Sequence, residues 1–314
     1  MLLTTDDNLE LVHTLGQGTE GPRVLIIAGI HGDEFEPMLA ANELLNILNG
    51  KIKSGSLTII PVANPSAFEL GKRCGQDGLD MARTFPGNQH GTITERMASQ
   101  LAMHIKNADY LIDLHTGGQL FNITPLTGYL LHPSQQVLEK QQMMAEAFNL
   151  PLIWGTAPDA EGRTLSTARD HNIPAIYAEC GGGSGISQNT IERYVEGCLN
   201  VLFQLKMIDY NVPAIPNFFY WLEDHRPGQG HLQSKMPSPA EGIFIPLYSP
   251  GEIISKGSIV GYIMDPINNA STNIEADDDG MVFMVRVSSL VRVGDTLGGI
   301  LPIHSKTKKI IHAS

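Results

Sequence analysis

A chain of 314 residues, 42% hydrophobic and 17% charged, can bury a large core and is long for one ordinary domain, so one large plus one small domain is expected. Its formal charge of -12, with no block of Lys or Arg, argues against nucleic acid or an anionic membrane as partner, because both require a positive surface to displace counterions. The three cysteines, Cys74, Cys180 and Cys198, form no CxxC pair; neither a disulfide framework nor a thiolate zinc site is suggested, and any metal must be held by His and carboxylate. The N-terminus MLLTTDDNLELVH lacks a basic segment followed by an apolar core, and no run approaches the roughly 18 apolar residues of a membrane span. A cytoplasmic protein acting on small molecules is the expectation.

In chain order, the first apolar run predicts a strand over 24–30, and it ends in a cluster of ionisable side chains, AGIHGDEFEP. Pro37 then opens a helix over 37–48. A strand over 57–63 is followed by the long connection NPSAFELGKRCGQDGLDMARTFPG, a helix over 94–105, and a strand over 110–114 that runs into DLHTGG. A helix over 135–148, a strand over 152–154, a strand over 175–178 ending in AECGGGSG, and a helix over 188–205 complete the pattern. Strands alternating with helices imply an α/β domain with a largely buried, mostly parallel sheet. Each chemical cluster follows a strand, where open α/β sheets bind ligands.

His31 and Glu34 are separated by two residues in the loop after the first strand, with Gly32 permitting the bend between them. Imidazole nitrogen and carboxylate oxygen both suit zinc, and three protein ligands plus water make a catalytic site. His115 is the best third ligand, because it also closes an apolar strand. Asp113, two residues earlier, projects to the same face and either accepts the other ring N–H of a ligand histidine or contacts substrate. Glu179 is the candidate base for metal-assisted hydrolysis, or else an acid capping its glycine loop. Cys180 alternates to the opposite strand face and has no histidine arranged for it, which disfavours a cysteine hydrolase. Arg73 and Arg83 are suited to a developing oxyanion and a substrate carboxylate. Asp33 and Glu36 have no assigned role, and Asp33 is expected to turn away from the metal or support it from behind. His90, His104 and His132 read as surface or packed histidines. GGGSG lacks the Lys and Ser/Thr of a phosphate loop and no GxSxG is present, so neither a nucleotide site nor a serine elbow is supported.

After residue 205 the texture changes. Residues 211–240, rich in proline and aromatics, read as a linker between a domain over 1–210 and a β-domain over 241–314. Within the latter, Gly242, Gly257 and Gly261 recur as Gly280, Gly294 and Gly298, so two pseudo-equivalent halves predict a small barrel or sandwich. The pattern resembles biotinyl and lipoyl carrier domains, but the connection DPINNASTNIEADD has no attachment lysine. A structural or gating role is expected.

The order HGDE, then NP with a downstream DxxR, then DLHTGG, then an acid before a glycine run resembles the succinylglutamate desuccinylase and aspartoacylase family of the zinc carboxypeptidase-like group, over residues 23 to 205. The resemblance implies a mixed, mostly parallel central sheet flanked by helices, and one zinc ion held by His31, Glu34 and His115. It also implies that Glu179 activates the metal-bound water, that Arg73 polarises the scissile carbonyl and that Arg83 grips a substrate carboxylate. Where the family commonly has asparagine directly before that arginine, this chain has Ala82, which offers no side-chain donor; carboxylate recognition is expected to be arranged differently.

The leading expectation is therefore a zinc-dependent amidohydrolase that deacylates an N-acyl amino acid or related small amine carrying a carboxylate, with room for a homo-oligomer. A metallocarboxypeptidase would use the same groups on a peptide, and a β-domain covering the cleft would favour the small substrate. A third class, a zinc- or ligand-binding protein without catalysis, has only Ala82 in its favour.

Overall fold

A computed structural model describes residues 11–16, 20–183, 185–210, 220–230, 232, 235–303 and 310–313. Most of the N-terminal stretch MLLTTDDNLELVH and the first part of the expected linker, 211–219, lie outside the described residues. The apolar run at 24–27 has no side chain to offer water, and it becomes β2 (Arg23–Ala28), buried on both faces. Before it comes β1 (His13–Leu15). After it come α1 (Phe35–Leu48), β3 (Ser56–Ile60), α2 (Pro65–Leu70), α3 (Ile93–Lys106), β4 (Tyr110–His115), β5 (Phe121–Leu130), α4 (Gln135–Phe148), β6 (Leu152–Thr156), α5 (Thr164–Asp170), β7 (Ala175–Gly181), α6 (Gln188–Gln204) and β8 (Tyr220–Asp224).

The sheet order is β1-β3-β2-β4-β7-β5-β6-β8. Strands β3, β2, β4 and β7 are parallel neighbours, β5 runs antiparallel to β7, and β6 and β8 continue parallel to β5. Alternation along β2 divides the core in two. Val24 and Ile26 pack with α1, α4 and α6 on one face, while Leu25 and Ile27 pack with α3 and α5 on the other. Each fully buried Leu or Ile there contributes about 2 kcal/mol of apolar transfer. Capping sets the helix starts: Glu95 accepts from Thr92 N at 2.7 Å before α3, and Ser187 Oγ accepts from Thr190 N at 3.3 Å before α6.

Besides the short β1 and α2, three elements went unanticipated. Strand β5 carries Pro125, which cannot donate to a ladder, and the pairing with β7 shifts register between Ile123 and Leu126 to accommodate it. Helix α5 is short. The third corrects the expected linker: within 211–240, β8 is a buried strand of the central sheet, parallel to β6.

The C-terminal region contains β9 (Gly242–Pro246), β10 (Ile253–Ile254), β11 (Ile259–Asp265), β12 (Ala270–Glu275), β13 (Gly280–Arg286), β14 (Leu290–Val291), β15 (Gly298–Leu301) and β16 (Ile310–Ala313). The two glycine-matched halves exchange strands: β10 of the first pairs β13 of the second, and β14 of the second pairs β9 of the first. Gly242 and Gly280 share one backbone state, φ 150° and 149°. This β-region is stitched to the α/β core twice, because β13 pairs β5 and β16 extends the sheet beside β8. Among the described residues, no helix is long and apolar enough to cross a membrane.

Candidate metal centre and active site

The loop from β2 to α1 and the end of β4 meet because their strands are hydrogen-bonded neighbours. One ligand atom from each of His31, Glu34 and His115 lies within 4.8 Å of the others, and all three residues are buried. Glu34 sits between the imidazoles: its Oε1 is 2.7 Å from His31 Nδ1 and its Oε2 is 2.9 Å from His115 Nδ1. The far ring nitrogens are held from behind. His31 Nε2 lies 3.2 Å from Asp80 Oδ1, and His115 Nε2 lies 3.1 Å from Asp113 Oδ2, which also accepts from the Thr164 hydroxyl. Asp113 therefore supports His115, one of its two expected roles; Asp80 does the same for His31 and was not anticipated.

Gly32 lies in the turn closed by Glu34 N donating to His31 O at 3.4 Å, and it also permits a close approach. A Cβ there would stand 1.9 Å from the carbonyl carbon of Ala67 in α2, so only glycine lets the ligand loop rest on that helix. Asp33 turns away and accepts from Gln119 N at 3.1 Å, tying the loop after β4 to the ligand loop. Glu36 accepts from Ser187 N at 3.3 Å. Cys180 is buried in the core beneath Thr190, and burial pushes its thiol pKa up. That environment does not make a nucleophile. His90 is exposed, and His132 Nε2 bonds the Arg169 carbonyl at 3.2 Å, so neither belongs to the centre.

Electrostatics favour a cation among these groups. Burial alone would raise the Glu34 pKa, but the His31 and His115 imidazoles hold it well below the usual range. Burial would lower His115, yet the Asp113 and Glu34 carboxylates raise it well above its ordinary value. Two imidazoles hemmed in by Glu34, Asp80 and Asp113 are a negative cluster that a metal ion would neutralise, and two nitrogens with one carboxylate suit zinc with an open position.

Glu179, near the end of β7, lies directly opposite His115 in the ladder. Its Oε2 is buried without a hydrogen-bond partner among the described residues. Burial, opposed in part by His115 and reinforced by Glu34, raises its pKa to about 8. Arg73 is held to Asp80 Oδ2 through Nε and Nη2 at 3.1 and 3.0 Å, which aims Nη1 at the centre, 3.3 Å from His31 Nδ1.

His31, Arg73, Asp113, His115 and Glu179 border one cavity of about 110 Å³, which Arg83 and Ala82 also line. After Arg73 and Arg83, its third arginine is Arg163, which precedes α5 and went unnoticed in the sequence because no motif surrounds it. Arg163 Nη1 donates to Gly230 O at 2.9 Å. Burial, and then the Arg163 charge, bring the Arg83 pKa down to about 10. Two guanidiniums lining one cavity favour a bound anion there.

Residues 20–205, more than half of the chain, match the model of the succinylglutamate desuccinylase/aspartoacylase catalytic domain. The chain belongs to that family. It is 25% identical over 291 residues to an N-alpha-acetyl-L-2,4-diaminobutyric acid deacetylase of Halomonas elongata, covering 90% of this chain and 83% of the relative. It is also 25% identical over 195 residues to murein peptide amidase A of Escherichia coli, covering 57% and 78%. A crystal structure of a succinylglutamate desuccinylase/aspartoacylase from Rhodobacter sphaeroides superposes with TM-score 0.82 at 24% identity, over 91% of this chain and 87% of that one. Family membership and the mixed sheet are as the motifs implied.

Proposed function

We propose that this family member is a zinc-dependent amidohydrolase that deacylates an N-acyl amino acid or a related small amine. The observation supporting this activity is convergence: His31, Arg73, Arg83, His115 and Glu179 line the same small cavity, and buried Glu34 joins the two histidines. The name of the Halomonas elongata relative is in keeping with it.

His31, Glu34 and His115 would hold the zinc ion, which when bound supplies Lewis-acid polarisation and makes water acidic near neutral pH. Arg83 and Arg163 hold the substrate carboxylate, which fixes the amide beside Glu179. Glu179 takes a proton from the attacking water as its oxygen adds to the carbonyl carbon. Arg73 Nη1 donates to the oxygen on which negative charge develops. The C–N bond then breaks, and Glu179 delivers its proton to the departing nitrogen. One water is consumed, and a carboxylic acid and an amine leave.

A carboxypeptidase would use the same groups, but Leu232 and Met284 also line the cavity, and their presence favours a small substrate over a peptide. Chelation should abolish hydrolysis across N-acetyl, N-succinyl and N-formyl amino acids, and added zinc should restore it. In Glu179→Gln, zinc content should persist while kcat falls by about 10²- to 10⁴-fold. Hydrolysis indifferent to chelation, or a glutamine variant with full turnover, would overturn the mechanism.

A further inference from the structure

Part of the cavity lining is apolar. Phe121, Ile123 and Leu130 of β5, Tyr177 of β7, Met284 of β13 and Leu232 all line it. Met284 and Ile123 are ladder partners, so the C-terminal β-region builds this wall jointly with the central sheet. Tyr177 lies two residues before Glu179 and therefore on the same face of β7. Its neighbours Ile176 and Ala178 are fully buried, while Tyr177 is only half-buried, as expected of a ring whose accessible side faces the cavity. The opposite residue in the ladder is Gly128. A Cβ on Gly128 would fall 2.1 Å from Tyr177 Cε1 and 2.5 Å from its hydroxyl; only glycine lets the ring lie flat across β5.

The charged groups at the cavity have other roles, Glu179 and Arg73 in bond breaking among them. Asp80 is bonded to Arg73 and His31, and Asp113 to Thr164 and His115. Arg83 and Arg163 are assigned to the substrate carboxylate. A charged substrate side chain against the apolar wall would lose its hydration without gaining a partner.

We propose that this wall is a side-chain subsite for an uncharged, apolar group, with Tyr177 as its platform, and that the substrates are N-acyl derivatives of apolar amino acids. The inference rests on the hydrolase activity proposed above and names its substrate class. Tyr177 is a specificity-determining residue that leaves the bond-breaking steps to Glu179 and Arg73.

The test compares kcat/KM of the zinc-loaded full chain on N-acetyl-L-leucine, N-acetylglycine, N-acetyl-L-aspartate and N-acetyl-L-2,4-diaminobutyrate. Calorimetric binding of the same four compounds to the zinc-loaded Glu179→Gln variant is measured in parallel. Leucine should exceed glycine at least ~10-fold, by the discrimination hydrophobic pockets achieve, and should exceed both charged derivatives by more. Tyr177→Phe should keep this order, and Tyr177→Ala should bring leucine within about threefold of glycine, on the same size of methylene effect. A preference for aspartate or diaminobutyrate, or no preference in either assay, overturns the subsite while hydrolysis itself stands. Leucine favoured in binding with no amide hydrolysed supports the subsite and overturns the hydrolase activity.

Discussion

Replacing Gly32 with alanine asks whether the metal site depends on two backbones touching. The new Cβ would sit 1.9 Å from the Ala67 carbonyl carbon and 2.1 Å from its oxygen. Ordinary carbon contact begins near 3.5 Å, so the ligand loop and α2 must part by roughly 1.5 Å. Neither side yields cheaply. Gly32 N donates to Lys72 O at 3.0 Å, and the Asn64 side chain caps α2 through Ala67 N at 3.1 Å. Overpacking costs about 1–3 kcal/mol, and a clash between main chains belongs at the upper end. For a chain of this size, a loss of ~3 kcal/mol lowers Tm by roughly 6 °C. The displacement also moves His31 and Glu34 relative to His115 by far more than the ~0.2 Å tolerance of a metal site, and turnover should fall by about 100-fold or more. Scanning calorimetry, zinc per chain after dialysis against graded chelator, and hydrolysis rates read the three effects. Wild-type zinc retention with a Tm shift under about 1 °C would refute the close-approach reasoning.

Other outcomes follow from the same geometry. Asp80→Asn removes the carboxylate behind His31 Nε2 and loosens Arg73, so zinc affinity should fall about 10- to 100-fold in a competition titration with a chelator; unchanged affinity would mean Asp80 does not orient the ligand. Arg163→Ala should raise KM about 10- to 100-fold with zinc content unchanged, as expected for losing one charge-assisted hydrogen bond to a carboxylate. An Arg163→Ala variant with normal KM would leave Arg83 alone in that role. In the metal-free protein, the raised Glu179 pKa of about 8 costs stability progressively as pH rises from the unfolded value near 4.5 towards 8. Over that window the unfolded chain releases a proton that the native state keeps. Glu179→Gln should therefore match the wild type near pH 4 and unfold at higher temperature near pH 8, a difference that thermal melts across pH would show.

Much of the centre was legible because its parts close apolar runs. His31 and Glu34 follow the apolar run of β2, His115 and Glu179 close those of β4 and β7, and these strands announce themselves by buried, β-branched composition. Asp113 was legible for the same reason, since alternation alone puts it on the His115 face. Arg163 and Asp80 were not. Their roles depend on loop paths, and an isolated Arg or Asp in a loop carries no period. Tyr177 was hidden differently: it reads as one more residue of an apolar strand until the partner opposite it proves to be Gly128. Strand β5 escaped notice because Pro125 breaks its pattern at the site of a register shift, and β8 because its flanks are rich in proline.

Local periodicity and residue chemistry are properties of consecutive residues, and they suffice for the α/β class, the helix limits and the candidate ligand types. Which strands lie side by side is decided by burial and pairing between segments far apart in the chain. That is why only the folded protein brings Glu179 opposite His115, sets Arg163 and Arg83 on one cavity, and carries Met284 from a separate β-region into the wall of the same cavity.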